Sequence, residues 1–167
     1  MEDIRSSIHA VVGYLSSHPD EARYTDSPAT ARLEDGLRFR VTGPGDEVVV
    51  TDMPAAVGGG GELASPGWLF RAAAAACAGS LIAMEAARDD VRLTSLAVDV
   101  DSESDDRGIF GMDESIPAGP LSFRFVVRVA TDDDAELDAL VRRAVARCPV
   151  ADAVGRAVET TVEVHAG

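Results

Sequence analysis

A run of small and apolar residues in the middle of the chain constrains the fold more than any other feature. Residues 66–88 read PGWLFRAAAAACAGSLIAMEAAR, and only Arg71 and Glu85 are charged before position 88. Alanine has the highest helix propensity, Pro66 suits a first helical turn, and Ser65 suits an N-cap. A helix of about 22 residues is about 33 Å long. Because it is apolar all round, we expect it to be buried.

Patterns typical of strands and of helices lie in separate groups on both sides of this segment. In order, they predict a helix over 3–17, a hairpin over 29–42 that turns at Asp35-Gly36, a strand over 47–51, the central helix, strands over 95–104 and 121–131, a helix over 135–147 capped by Asp132–Asp134, a short helix over 151–158 and a closing strand over 160–166. Such segregation predicts an α+β fold with a largely antiparallel sheet. One sheet covers one side of the central helix, so a second subunit is expected to cover the rest.

The charge of the chain limits the partners that it is expected to bind. All 15 basic residues are arginine, and 29 acidic residues bring the formal net charge to -14. Nucleic acids and anionic membranes attract basic surfaces, so neither is an expected partner. No segment is expected to reach the roughly 18 apolar residues of a membrane span. The acidic N-terminus lacks the basic start of a secretory signal, so a cytoplasmic location is expected.

Two cysteines are the candidate reactive groups. Cys77 lies about ten residues inside the central helix, where the N-terminal dipole has little effect, so an inert buried thiol is the more common case. Cys148 precedes Pro149 and therefore lies ahead of a helix start, beside Arg147, and both features would favour a thiolate. The alternative is that the proline merely ends a helix. The wide spacing of the two cysteines, without a CxxC motif, gives little support for a metal site.

A glycine-rich stretch precedes the central helix, and arginines line the first hairpin. Residues 59–64 satisfy a GxGxxA pattern, but no second parallel strand with a ribose-binding acid follows. A flexible approach to the helix is therefore favoured over a dinucleotide site. Alternation places Arg38 and Arg40 on one face of the hairpin. These arginines would ordinarily lie on a solvated face. The alternative is that one of them contacts a substrate or a thiolate.

The combination of these motifs resembles the OsmC/Ohr family over about residues 30–165. The motifs are TDMPAAVGGGGELASPGWLFRAAAAACAGSLIAMEAAR, the strand VDV and RRAVARCPVADAV. The resemblance implies an intertwined α+β homodimer with antiparallel sheets around long central helices. It divides the chain into an N-terminal helix and linker, 1–28, and an OsmC-like domain, 29–167. The N-terminal helix and the insert RGIFGMDESIPAG indicate a divergent branch.

The resemblance also implies a chemistry for the two thiols. Cys77 would attack a small hydroperoxide and become a sulfenic acid, and Cys148 would resolve it as an intrasubunit disulfide. A dithiol such as a lipoylated protein would then reduce that disulfide. No metal or organic cofactor is required. In an apolar pocket at the dimer interface, small residues of the central helix would leave room for the alkyl group of the peroxide.

One expected side chain of the family's site is absent. The family has a glutamate after the proline at the start of the central helix, where this chain has Gly67. Glu62 is the candidate replacement, and Arg38 is the nearest match to the family's arginine. The leading hypothesis is a cysteine-based hydroperoxide reductase. The alternatives are a dimeric OsmC-like protein that binds small molecules with little or no peroxidase activity, and a structural protein whose cysteines are incidental.

Overall fold

The computed structural model describes residues 2–166 of the chain, which contain five α-helices and five β-strands. They are α1 (Glu2–Ser17), β1 (Thr30–Asp35), β2 (Arg38–Thr42), β3 (Val48–Thr51), α2 (Pro66–Arg88), β4 (Leu93–Glu103), α3 (Asp106–Ile109), β5 (Ser122–Thr131), α4 (Leu137–Val145) and α5 (Pro149–Gly155). Contacts divide the chain into two compact units. The N-terminal unit is Ser6–Ala73, and the C-terminal unit contains the chain from Ala74 onwards together with the beginning of α1.

The N-terminal unit is built on a three-stranded antiparallel sheet in the order β1-β2-β3. Its first turn contains the predicted Asp35-Gly36 pair, and Gly36 adopts a φ of 54°, a conformation that glycine tolerates best. Thr30 pairs with Thr42 across the first hairpin, and Phe39 pairs with Thr51 across the second. The predicted hairpin and third strand are confirmed.

The central helix α2 begins as the sequence predicts but is buried along one face only. The Trp68 N–H donates to Ser65 Oγ over 3.1 Å, which is the contact of an N-cap. The buried positions Ala74, Ala78, Ile82 and Ala86 form one stripe along the helix, and Glu85 and Ala87 widen the buried surface only at its C-terminal end. Trp68, Phe70 and Met84 are exposed. The expectation of burial all round is therefore wrong for the single chain, because only one side of the helix is packed.

The same helix also has the length and hydropathy of a membrane span, contrary to the sequence-based expectation. It contains 23 residues, and its most apolar stretch has a mean hydropathy of 1.4. Only 17% of that stretch is buried within the chain. Length and composition are the only support for a span, and the core helix of a soluble protein meets the same criteria.

The C-terminal unit packs two helices on a two-stranded antiparallel sheet. Strands β4 and β5 pair in the register Val98 with Val127 and Leu96 with Val129. The inward residues of this sheet pack against a core of helical residues from α2 and α4 together with Val91: Ile82, Ala86, Val91, Leu140 and Ala144. The apolar face that the sequence predicts for β5 therefore lies toward α2 and α4. The α+β fold class with antiparallel sheets is confirmed.

Two local predictions were wrong. Asp132–Asp134 do not cap α4, which begins at Leu137 after Glu136. Instead, the Asp133 carboxylate accepts a hydrogen bond from the Arg92 N–H over 2.6 Å, tying the end of β5 to the start of β4. The closing strand over 160–166 does not form either. Within residues 2–166 its alternating Val162 and Val164 pair with no strand, and both remain more than 80% exposed, at 83% and 82%.

Candidate functional site

The two cysteines meet in the C-terminal unit. Both are free thiols, and the side chains of Cys77 and Cys148 lie close enough to affect each other's ionisation. Cys148 is fully buried, whereas Cys77 on α2 is half-buried. The fold therefore brings two thiols that are far apart in the sequence close to each other.

The junction between α4 and α5 holds Cys148 in place. The Cys148 N–H donates to Val145 O over 3.0 Å, which closes the last turn of α4. Pro149 then begins α5, and the Asp152 N–H donates to the Cys148 carbonyl over 2.9 Å. Cys148 has φ −70° and ψ 117°, the extended geometry that a following proline imposes. The sequence-based prediction that Cys148 lies in a helix break is confirmed.

The environment of Cys148 favours the protonated thiol. Burial is the main cause that raises the pKa of Cys148 above its ordinary value, and its contact with the Cys77 thiol acts in the same direction. The N–H groups of Ala151 and Val150 oppose this rise and lower the pKa, although neither makes a hydrogen bond of capping geometry. The expectation that the helix start and Arg147 would together favour a thiolate was therefore wrong, because burial outweighs the backbone N–H groups.

Arg147 forms an ion pair with Glu85. Its Nη1 lies 3.1 Å from Oε2 and 3.3 Å from Oε1 of Glu85, a carboxylate that is only 7% exposed. Arg143 Nε reaches Oε1 over 3.2 Å, and Arg88 Nη1 reaches Oε2 over 3.3 Å. Three guanidinium groups from α2 and from the end of α4 thus surround one buried carboxylate. Sequence reasoning noted Glu85 as one of two charged residues in an apolar helix but assigned it no partner.

Arg38 is paired with an acid that the sequence did not single out. Its Nη2 lies 3.5 Å from Oδ2 of Asp52, which is 3% exposed. The Asp52 carboxylate also accepts backbone hydrogen bonds from the Met53 N–H over 2.7 Å and from the Gly60 N–H over 3.0 Å. Asp52 therefore joins the end of the hairpin to the glycine-rich stretch. The signal for it was the TDMP motif, in which an aspartate directly follows a strand.

The glycine-rich stretch folds around Asp52. A Cβ on Gly59 would come within 1.9 Å of the Met53 carbonyl oxygen, and a Cβ on Gly60 would come within 2.6 Å of Asp52 Oδ2. The Gly61 N–H donates to the same Met53 carbonyl over 3.1 Å. These glycines thus permit close approach within the chain itself. The predicted flexible approach is instead a tightly packed turn.

The remaining candidate acid stands apart from this arrangement. Glu62 is exposed, and its side chain makes no hydrogen bond or ion pair with any residue of the described range 2–166. Gly67 is exposed in the first turn of α2, which carries no acidic residue. The structure therefore brings Cys77 to Cys148, and it brings Arg38 to Asp52 rather than to Glu62.

Each of the two units has an open groove among the described residues 2–166. A groove of about 530 Å³ runs between β5 and α4, and its lining includes Phe125, Val141 and Arg142. A second of about 370 Å³ lies at the start of α2 beside Leu63 and Trp68. Neither groove includes Cys77 or Cys148 in its lining. Among residues 2–166, no group of three His, Cys, Asp or Glu side chains is arranged to hold a metal ion.

Comparison with known proteins places the chain in a family. The model of the family described as OsmC-like protein matches residues 59–163, more than half of the chain. The chain belongs to the OsmC-like protein family. The match begins at the glycine-rich turn and includes both cysteines, so the resemblance inferred from the sequence is confirmed.

Solved structures share the fold of this OsmC-like protein. An OsmC-like protein from Mycoplasma pneumoniae is 13% identical, with a TM-score of 0.67, over 81% of this chain and 91% of that one. An OsmC-like protein of unknown function from Vibrio cholerae is 11% identical, with a TM-score of 0.65, over 78% and 94% of the two chains. An organic hydroperoxide resistance protein from Elizabethkingia anophelis is 19% identical, with a TM-score of 0.62, over 79% and 89%. A search of curated proteins finds no match.

Proposed function

We propose that this OsmC-like protein is a thiol-dependent reductase of organic hydroperoxides in which Cys77 is the peroxidatic thiol and Cys148 the resolving thiol. The observation that carries the proposal is the proximity of the two thiols, one half-buried on α2 and the other fully buried at the α4–α5 junction. Membership of the OsmC-like family and a fold shared with an organic hydroperoxide resistance protein support the choice of substrate.

The first step oxidises Cys77. Its thiolate attacks one peroxide oxygen, the O–O bond breaks, and the sulfur becomes a sulfenic acid while the alkoxide takes up a proton and leaves as an alcohol. Cys77 suits this role better than Cys148, because it is the more exposed of the two thiols and an external substrate must reach the attacking sulfur.

The second step oxidises Cys148. Its sulfur attacks the Cys77 sulfenic sulfur, a disulfide forms, and the hydroxyl leaves as water with the proton of the Cys148 thiol. A dithiol reductant, such as a lipoylated protein, then exchanges with the disulfide and leaves oxidised itself. The fully buried position of Cys148 suits a thiol that reacts with Cys77 and not with the substrate. A cytoplasmic location, where dithiol reductants keep thiols reduced, fits this cycle.

Asp52 is proposed to replace the glutamate that the family places at the start of the central helix. Asp52 contacts Arg38 and is buried, whereas Glu62 is exposed. A buried carboxylate held by two backbone N–H groups is a fixed anchor for a guanidinium. In this proposal, Arg38 favours the reactive thiolate and stabilises the departing alkoxide, and Asp52 sets the position of Arg38.

A homodimer is proposed as the working form. Trp68, Phe70 and Met84 on α2 are exposed in the single chain, and the alternating segment over 160–166 has no strand partner among the described residues. Burying large apolar side chains and pairing such a segment are both favourable, so a second copy is expected to cover them. Light scattering should give twice the chain mass, and a monomer at micromolar concentration would contradict this part of the proposal.

The catalytic proposal is tested with three forms of the reduced protein. The wild type, Cys77→Ser and Cys148→Ser are each mixed with one equivalent of cumene hydroperoxide, and peroxide loss and intact mass are followed. The wild type should consume the peroxide and lose two hydrogen atoms. Cys148→Ser should gain one oxygen atom at Cys77, and Cys77→Ser should do neither. Equal peroxide consumption by the wild type and Cys77→Ser would refute the proposal.

One observation favours a second function, the binding of small molecules without turnover. The first turn of α2 has Gly67 where the active branches of the family have a glutamate, and no acid stands in that turn. If Asp52 does not replace it, Cys77 stays a slow nucleophile in a dimeric binding protein. Unchanged peroxide in the presence of fully reduced wild-type protein, with binding of the alcohol product by calorimetry, would select this alternative.

A further inference from the structure

We propose that Glu85 is a positioning residue for the resolving step: by binding Arg147, it holds the α4–α5 junction against α2 so that the Cys148 thiol stays in contact with Cys77. The inference deepens the proposed function, because it concerns how the second thiol is brought to the first. Glu85 itself touches neither sulfur in this scheme and acts only through Arg147.

Two consecutive residues attach the junction to α2. Arg147 binds Glu85, and the Cys148 thiol lies beside the Cys77 thiol. The two contact points on α2 are eight residues apart, which is about 12 Å along a helix axis. The ion pair therefore limits how far the junction can move away from α2 near the thiols. The thiol contact is thus fixed by the ion pair as well as by the packing of α4.

The chemistry of the ion pair suits this role. Arg147 Nη1 reaches both carboxylate oxygens, and Glu85 is 7% exposed, so the contact is shielded from solvent on the side of the acid. Arg143 and Arg88 bind the same carboxylate and balance its charge. A buried glutamate without such partners would be costly, particularly near the C-terminus of a helix, where the dipole disfavours negative charge. Three arginines on one acid are more than charge balance requires, but Arg147 alone adjoins Cys148.

The reaction depends strongly on this placement. Disulfide formation within one chain is fast and favourable only when the two sulfurs are held in reactive geometry, and a displacement of about 1 Å can cost about 100-fold in rate. The equilibrium between the dithiol and glutathione measures that placement directly. Oxidised glutathione takes two electrons and two protons from the protein thiols, giving the protein disulfide and two molecules of reduced glutathione.

The experiment compares arginines that bind the same carboxylate. Wild type, Glu85→Gln, Arg147→Gln and the double variant are equilibrated with glutathione, and Arg88→Gln is the matched control. Arg147→Gln should lower the equilibrium constant about tenfold, which raises the two-electron reduction potential by about 30 mV. Arg88→Gln should change it less than about twofold. If Glu85 acts through Arg147, the double variant should fall no further than either single variant.

Other outcomes overturn the inference. Equal losses in Arg147→Gln and Arg88→Gln would mean that charge balance at Glu85, not attachment of the junction, affects the thiols. Additive losses in the double variant would mean that the two residues act separately. If Arg147→Gln does not fold, Arg147→Lys keeps the charge and should lose about threefold; no loss would overturn the inference. A protein that passes these tests but leaves hydroperoxides intact would refute the proposed function and leave the positioning role standing.

Discussion

Two buried carboxylates, Asp52 in the N-terminal unit and Glu85 in the C-terminal unit, are satisfied in opposite ways. Backbone N–H groups of Met53 and Gly60 bind Asp52, and its one guanidinium partner is at 3.5 Å. Glu85 is bound by three guanidinium groups at 3.1 to 3.3 Å. The first acid orders a turn of the backbone, and the second joins two helices through side chains.

This difference determines what each acid can be used for. A carboxylate held by backbone N–H groups cannot move without unfolding the turn around it, so it can serve as a fixed anchor for Arg38. A carboxylate shared among three side chains tolerates the loss of any one of them. Removing Asp52 should therefore disturb the fold locally and severely, whereas removing one arginine from Glu85 should mainly affect what that arginine holds.

Replacement of Asp52 should have the largest effect on stability. Asp52→Ala removes the acceptor for two backbone N–H groups, and we expect a loss of about 2 kcal/mol in the free energy of unfolding. Asp52→Asn keeps one acceptor oxygen and should lose about half as much. Urea denaturation monitored by circular dichroism measures both. If both variants lose less than about 0.5 kcal/mol in the free energy of unfolding, Asp52 does not order its turn in the way that distinguishes it from Glu85.

The second largest expected effect is the change with pH in the rate of disulfide formation. It tests whether the arginines that bind Glu85 also affect the pKa of Cys148. Burial raises the pKa of Cys148, so the thiol is the main form at neutral pH. The rate from sulfenic acid to disulfide should therefore increase about tenfold per pH unit from pH 6 to 8, because the attacking thiolate becomes more populated. Stopped-flow oxidation followed by intact mass gives the profile. A rate already constant at pH 7 would indicate that Arg147 lowers this pKa after all.

The order of helices and strands could be predicted from local patterns in the sequence. The alanine-rich run gave α2 its bounds, and Cys148-Pro149 gave the break between α4 and α5, because helix propensity and proline geometry act within a few residues. The strand over 160–166 was wrong because alternation reports which residues could pair, whereas a strand forms only where a partner strand is present, and none of the described residues pairs with this segment. The cap at Asp132–Asp134 was wrong because Asp133 binds the Arg92 N–H, a contact over 41 positions.

The candidate site was predictable only in part. Family resemblance identified Cys77 and Cys148, and the structure brings their side chains close together. Asp52 and Glu85 were missed because their partners come from residues that are distant in sequence or from backbone groups, which carry no residue-specific signal. Glu62 is a candidate because it lies a few residues upstream of Gly67, but proximity along a loop does not place a side chain, and Glu62 is exposed.

Paired replacements at Glu85 should show a smaller, cooperative effect on stability. Arg143→Gln or Arg147→Gln alone leaves two guanidinium groups on the carboxylate, so each should cost less than about 1 kcal/mol. Together they leave only Arg88, and the double variant should lose about 1 kcal/mol more than the sum of the single variants. Urea denaturation of the four proteins provides the cycle. Strict additivity would mean that the three arginines do not share one acid in the way described.

Replacement of Arg38 should have the smallest effect on stability. Arg38→Gln removes a guanidinium whose side chain is 39% exposed and 3.5 Å from Asp52, so we expect less than about 0.5 kcal/mol in urea denaturation. Arg40 lies on the same strand as Arg38, and Arg40→Gln, which breaks the surface pair with Glu34 of β1, is the matched control and should cost about as much. A loss in Arg38→Gln equal to that in Asp52→Ala would contradict the comparison, because Arg38 and not the backbone would then satisfy Asp52. A small loss would mean that Asp52 positions Arg38, whereas the fold around Asp52 does not depend on Arg38. This arrangement is expected of a side chain with a catalytic rather than a structural role.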